Sequence, residues 1–204
     1  MKKRILKISK ILFLLGLIAG IALYTFIINS WKLHLTDTEL SEFIEDIKLA
    51  EKLPEKFYEL YNIEFDRSLE NGILKQELKS LMSVTYKPSI NLWVSRFYLH
   101  SNNKLYYKNM FFTAHSLALK IEKKTTKKEN LNWIMSKMDF LNLQNGIKSA
   151  SIFYFDKEIF ELNDKELATL VIISKNPSLY NPLKRSELVN RKVENLMNKK
   201  SYDQ

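Results

Sequence analysis

The chain has 204 residues, no cysteine and three histidines, His34, His100 and His115. Disulfides, thiolate chemistry and cysteine metal sites are excluded, and the scattered histidines form no zinc signature. The net charge is +9, but five of the 32 basic residues lie in the first ten positions, where no acid stands; the remaining 27 face 23 acids. With the excess concentrated at one end and no motif that reads nucleic acid, no nucleic-acid partner is expected.

The five basic residues are Lys2, Lys3, Arg4, Lys7 and Lys10. The run Ile11–Ile28, ILFLLGLIAGIALYTFII, follows without a charge. Eighteen residues at the helical rise nearly cross a bilayer core. A basic flank on one side and Trp31 on the other suit a single membrane crossing, with the N-terminus cytoplasmic and Trp31 at the far interface. The alternative is a cleaved signal peptide, although the run is long for one and no small-x-small pair follows it. The expected division is a basic flank over 1–10, an anchor over 11–31 and a domain over 32–204 outside the cytoplasmic membrane.

Only four glycines and four prolines occur, strict alternation is rare, and helical spacing is common. Thr36-Asp37-Thr38-Glu39 has capping-box form, with Leu40, Phe43, Ile44 and Ile47 on one face behind it. The stretch LAEKLPEKFYELYN, 49–62, places Glu51, Glu55 and Glu59 four apart, which aligns them only if the segment is helical throughout. Pro54 instead favours a helix start, leaving Glu51 on the approach and Glu55 in the first turn. Further helices are expected over about 66–84, 88–101, 105–124, 127–139, 143–154, 163–175 and 184–199, with Asn163 capping the apolar segment that follows it. The outcome is one all-α domain. Residues 92–112 carry Trp93, Phe97, Tyr98, Tyr106, Tyr107, Phe111 and Phe112 among Arg96, Lys104 and Lys108. Rings mixed with cations suit a membrane headgroup layer, and equally a packed core with a basic outer face.

The run NGIKSASIFYFDKEIFELNDKELATLVIISKNPSLYNP, 145–182, with the basic segment after it, resembles the family-51 glycosyltransferases. These are the peptidoglycan-polymerising domains of class A penicillin-binding proteins and the monofunctional transglycosylases. The counterparts of the family's ordered run are Gly146-Ile147, Ala150, Phe153–Lys157, the Glu166–Ser174 helix and Ser178–Pro182. Upstream, 116–140, 86–99 and 53–64 are similar to three further family motifs. The resemblance implies a lysozyme-like fold beside a membrane, peptidoglycan chemistry, and lipid-linked precursor, glycan strands or wall-synthesis proteins as partners.

The family's reaction needs a carboxylate to take a sugar hydroxyl's proton and positive groups or a divalent metal to stabilise the departing pyrophosphate. Anchored on Phe57-Tyr58, the first motif's Glu-Asp pair falls on Leu53 and Pro54, its histidine on Leu60 and its glycine on Asn62. In the second, Ser89-Ile90 fits, Asn91 replaces threonine, the glutamines become Leu92 and Trp93, and Arg96 keeps a positive charge. The third puts its glutamate on Ala114 and its basic pair on Met110 and Phe111; the fourth puts its glutamate on Asn132 and its asparagine on Ser136. Scaffold positions are kept and reacting groups are not, and the metal ligands are not retained. The resemblance therefore implies a protein without polymerase activity that acts by binding, with Arg96, Ser89 and Asn91 as candidate phosphate contacts. Two alternatives stay open: a divergent active enzyme using Glu51 or Glu55 as a displaced base, and an adaptor reusing the fold.

Overall fold

A computed structural model describes residues 2–82, 89–102 and 110–202, and the side chains of 8–79, 81–82, 89–102 and 111–199. Among the described residues ten α-helices follow one another: α1 (Lys2–Asn29), α2 (Asp37–Leu49), α3 (Glu55–Glu64), α4 (Ile73–Leu81), α5 (Ile90–Ser101), α6 (Met110–Glu122), α7 (Lys127–Lys137), α8 (Ile147–Phe155), α9 (Asp164–Lys175) and α10 (Ser186–Tyr202). Short 3-10 turns cover Ser30–Leu33 and Ile159–Glu161. No strand occurs among the described residues, only an isolated bridge between Asp139 and Asn145. The expected all-α class holds.

The helix starts show why these segments fold as they do. Thr36, Thr126 and Asn163 each accept a backbone N–H of the first turn, and Glu39, Glu129 and Glu166 reach back to the capping residue's own N–H. Each reciprocal pair satisfies two donors that an α-helix leaves without a partner. Pro54 stands at the start of α3 with φ −57° and ψ 141°, so the chain turns there and Glu51 lies outside the helix. α9 runs through the centre, burying Leu167, Leu170, Val171, Ile172 and Ile173, and packs against α3, α8 and α10. α5 packs on α6 and α7, and α2 on α7.

Two segments depart from the expected helices. The stretch 66–72 is a turn in which Asp66 and Arg67 both take positive φ. Asn62 accepts the Leu69 N–H at 3.1 Å and Asn71 donates to the Asp66 carbonyl at 3.2 Å, so amide side chains hold the turn that a helix would otherwise replace. Residues 141–143 also take positive φ, closing a reversal in which Phe140 N–H donates to Gln144 O at 2.8 Å. α8 begins only after Gly146, whose φ is +85° and where a Cβ would stand 2.6 Å from the Ser136 carbonyl oxygen. Glycine is required there on both grounds.

Within α1, the stretch Ile8–Leu33 that runs on into the first 3-10 turn is long and apolar enough to cross a membrane, and its most apolar window is not buried by the rest of the chain. Trp31 packs within the protein. It is 2% exposed, because the 3-10 turn after α1 swings it beneath α6. Ser116 Oγ accepts the Trp31 N–H at 3.3 Å and donates to Ile28 O at 2.8 Å, tying the end of α1 to α6.

The aromatic stretch divides. Trp93, Phe97 and Tyr98 of α5 pack on the core, Tyr98 stacking on Phe43 with ring centroids 3.7 Å apart. Phe111 and Phe112, at the start of α6, are exposed. Lys104, Tyr106, Tyr107 and Lys108 lie outside the described residues.

Candidate functional site

The positions that correspond to the family's motifs converge on the packing between α3, α5, α6 and α7. Leu53 is buried, and its N–H donates to Tyr58 Oη at 3.0 Å; the Tyr58 hydroxyl donates in turn to Asn132 Oδ1 at 2.6 Å. The first and fourth motif positions are thus joined by a buried relay of neutral groups. Ala114 is fully buried, and its carbonyl accepts Ser95 Oγ at 2.8 Å, which joins the second and third. The Met110 side chain lies outside the described residues. Leucine, proline and alanine side chains offer no group to move a proton at these three places.

A cavity of about 330 Å³ opens beside the relay, lined by Leu53, Asn132, Ser136, Gly146 and the Glu51–Lys148 pair. Glu51 and Lys148 form an ion pair with both side chains more than half exposed. Glu55 pairs instead with Lys128 at 2.6 Å, and that ammonium stands 4.6 Å from the Tyr58 ring centroid. Of the two candidate substitute acids, Glu51 lines the cavity and Glu55 does not. Exposed pairs of this kind contribute little stability, so the Glu51 carboxylate is held only weakly. No group of three or more acidic, histidine or cysteine side chains converges among the described residues.

The candidate phosphate contacts are not gathered in this cavity. Ser89 is buried as the cap of α5, its Oγ accepting the Leu92 N–H at 3.3 Å and its own N–H donating to Glu77 Oε1 at 2.9 Å. Asn91 is fully buried; its Oδ1 accepts from Asn130 Nδ2 at 3.3 Å, while its Nδ2 has no protein partner. Arg96 is half-buried on α5.

A second cavity, of about 500 Å³, lies beyond the far end of α3, lined by Tyr61, Phe65, Trp93, Phe97, Asp139 and Lys175 among others. The Tyr61 and Phe65 rings stack at 4.2 Å, and Lys175 pairs with the buried Glu64 carboxylate. Burial pushes the Tyr61 phenol well above its ordinary pKa, so it stays protonated. Sequence reading placed Trp93 and Phe97 in an aromatic stretch but did not find this cavity. Its lining comes from positions between 61 and 177, and no local spacing links them.

A helical domain whose motif positions converge in this order defines a transglycosylase scaffold. The family model for Transglycosylase matches residues 94–201, more than half of the chain, and the chain belongs to the family-51 transglycosylases. Penicillin-binding protein 4 of Bacillus subtilis is 32% identical over 115 residues, covering 56% of this chain and 17% of that protein. Penicillin-binding protein 1A of Pseudomonas aeruginosa is 33% identical over 108 residues, covering 53% and 13% respectively. The alignment thus spans less than a fifth of the length of these curated relatives. The family match begins downstream of Leu53 and Ser89, so the correspondence of the first motif rests on Phe57-Tyr58.

Proposed function

We propose that this is a membrane-anchored transglycosylase-family protein of cell-wall biogenesis that has lost glycan polymerisation and acts by binding lipid-linked precursor, glycan strands or wall-synthesis proteins. The observation that carries the reading is the occupancy of the acid positions by Leu53, Pro54 and Ala114, two of them buried. Loss of a general base alone costs roughly 10²–10⁴-fold. The aromatic cavity supports binding: ring faces at Trp93 and Phe97 with Asp139 and Lys175 beside them offer a sugar both apolar contact and hydrogen-bond partners. The basic flank of α1 supports a cytoplasmic N-terminus with the domain on the outer side of the bacterial cytoplasmic membrane. One observation favours a second reading: Glu51 lines the cavity beside Leu53, which is where a displaced base would have to be.

The test is polymerisation of purified lipid-linked precursor by the full chain in detergent, with and without divalent metal, together with binding of the same precursor. The expected result is no polymer, and binding that weakens in Trp93→Ala. Processive product that disappears in Glu51→Gln refutes the proposal in favour of the displaced base. Neither product nor binding favours the adaptor reading.

A further inference from the structure

Three helices end at the aromatic cavity. Phe65, Met138 and Asn176 close α3, α7 and α9 at their C-terminal ends, and all three line the 500 Å³ space. The C-terminal end of a helix carries about half a negative charge. Backbone from three separate elements therefore turns the same sign of potential toward one place.

The protein sets little positive charge against these ends. α3 has no basic residue in its last turn. Lys137, in the last turn of α7, pairs with Asp46 at 3.5 Å and does not line the cavity. Lys175, in the last turn of α9, does line it, but its ammonium is paired with Glu64, the last residue of α3, whose carboxylate is buried. That pair carries no net charge. Asp139 adds a further negative group. Its side chain is exposed, and its Oδ1 accepts the Leu141 N–H at 2.7 Å. No lysine or arginine among the described residues forms an ion pair with it. The balance is three helix ends and one carboxylate, all of one sign.

The walls suit a cation that carries carbon. Tyr61 and Phe65 stack, and Phe65 lies nearly parallel to Trp93 with ring centroids 6.5 Å apart. Trp93 and Phe97 are half-buried, so part of each ring is open to the space. The face of an aromatic ring attracts an ammonium group through its quadrupole, and the same face packs on the carbon chain that bears the charge. A neutral sugar gains the ring contact and nothing from the helix ends.

We propose that this cavity holds an organic ammonium group, the end of an alkyl amine or the free amino group of a sugar, with Trp93 and Phe97 against its carbon frame and Asp139 against its charge. The inference rests on the reading of the cavity as a binding site and adds the charge of what it holds.

The test is calorimetric titration of the full chain in detergent at low salt. The probes are pentane-1,5-diamine against pentane-1,5-diol, and the glucosamine tetramer against the N-acetylglucosamine tetramer. The expected result is that at least one amine binds about tenfold or more tighter than its neutral counterpart; which pair shows the difference identifies the source of the amine. Asp139→Asn keeps the bond to the Leu141 N–H and should weaken that binding several-fold. Trp93→Leu should weaken it about 3- to 30-fold, while Glu187→Gln, an exposed acid on α10, should leave it unchanged. Amines that bind no tighter than their neutral counterparts overturn the proposal, and neutral sugar binding that Trp93→Leu weakens leaves the cavity as a sugar site. Amine binding that neither Asp139→Asn nor Trp93→Leu weakens places the amine elsewhere and overturns it too. No binding of any probe overturns it; lipid-linked precursor that still binds, and binds less well in Trp93→Ala, then leaves the binding reading standing, and precursor that does not bind removes both.

Discussion

Tyr58→Phe tests whether the relay that occupies the acid positions is an integral part of the fold. The hydroxyl is nearly enclosed, accepting from Leu53 N–H at 3.0 Å and donating to Asn132 Oδ1 at 2.6 Å. Phenylalanine keeps the ring and removes only the oxygen, leaving one donor and one acceptor without their partner. A buried polar group deprived of its partner costs about 1–3 kcal/mol. Asn132 lines the 330 Å³ cavity, where water can reach it, so its share falls at the low end. The sum is about 2–4 kcal/mol, which for a protein of this size lowers Tm by roughly 5–15 °C. The assay is thermal unfolding of the full chain in detergent, followed by circular dichroism. Asn132→Leu and the double variant complete a cycle; because the two side chains share a hydrogen bond, a coupling of about 0.5–3 kcal/mol is expected. A Tyr58→Phe protein that melts with the parent, and no coupling, refutes the reasoning. In that case water serves these groups, the cavity is wet as far as Leu53, and Glu51 has a route to a substrate hydroxyl.

Two further outcomes follow from burial and charge. Trp31→Ala should cost about 3–5 kcal/mol in thermal unfolding, since the ring is fully packed; Trp31→Phe should cost far less, because the buried indole N–H has no partner and its removal relieves a desolvation cost. A tryptophan resting at a lipid interface would give little change in either. For acid sensitivity, the hydrogen bond from Lys157 to Glu166 at 2.6 Å, helped by the Asn163 N–H, holds the Glu166 carboxyl below its usual value of 4.5 in the folded protein. Its stabilisation is therefore complete above that value and is lost as pH falls through the lowered one. Urea unfolding across a pH series should show Glu166→Gln less stable than the parent near neutrality, by about 0.5–1 kcal/mol for the lost charge beside Lys157 and the helix N-terminus, with the gap closing in acid.

What could be read in advance was what neighbours in sequence determine. Thr36 with Glu39, and Asn163 by itself, announce helix starts within a few residues, and Pro54 announces that α3 begins after Glu51. The turn at 66–72 was not legible: Phe65, Leu69 and Ile73 keep helical spacing across it, while the departure is carried by two left-handed residues and by amide bonds from Asn62 and Asn71. The burial of Trp31 was hidden for a related reason. Beside an apolar run it has the composition of an interface anchor, and the contacts that hold it under α6, such as that with Ser116, come from 85 residues away. The register that puts the first motif's acid pair on Leu53 and Pro54 was taken from Phe57-Tyr58. The relay from Leu53 through Tyr58 to Asn132 was not legible, because it crosses 74 residues.

The polar side chains near the motif positions are largely engaged within the protein. Tyr58 bonds to Asn132, Asn91 to Asn130, and Ser95 to the Ala114 carbonyl, so three contacts link the four motif segments pairwise. A catalytic site needs the opposite arrangement: acids kept in a cleft at a cost in stability, ready to act on a substrate. Here the buried positions hold leucine and alanine, and the exposed acids nearby are paired with lysines at the rim. Two jobs are thereby separated. The segments hold one another in place, which preserves the cavities, while the side chains of Leu53 and Ala114 offer no group for proton transfer. That division is why binding at the aromatic cavity and chemistry at Glu51 are separable claims. Trp93→Ala bears on the first and Glu51→Gln on the second, and neither residue is part of the contacts that join the motifs.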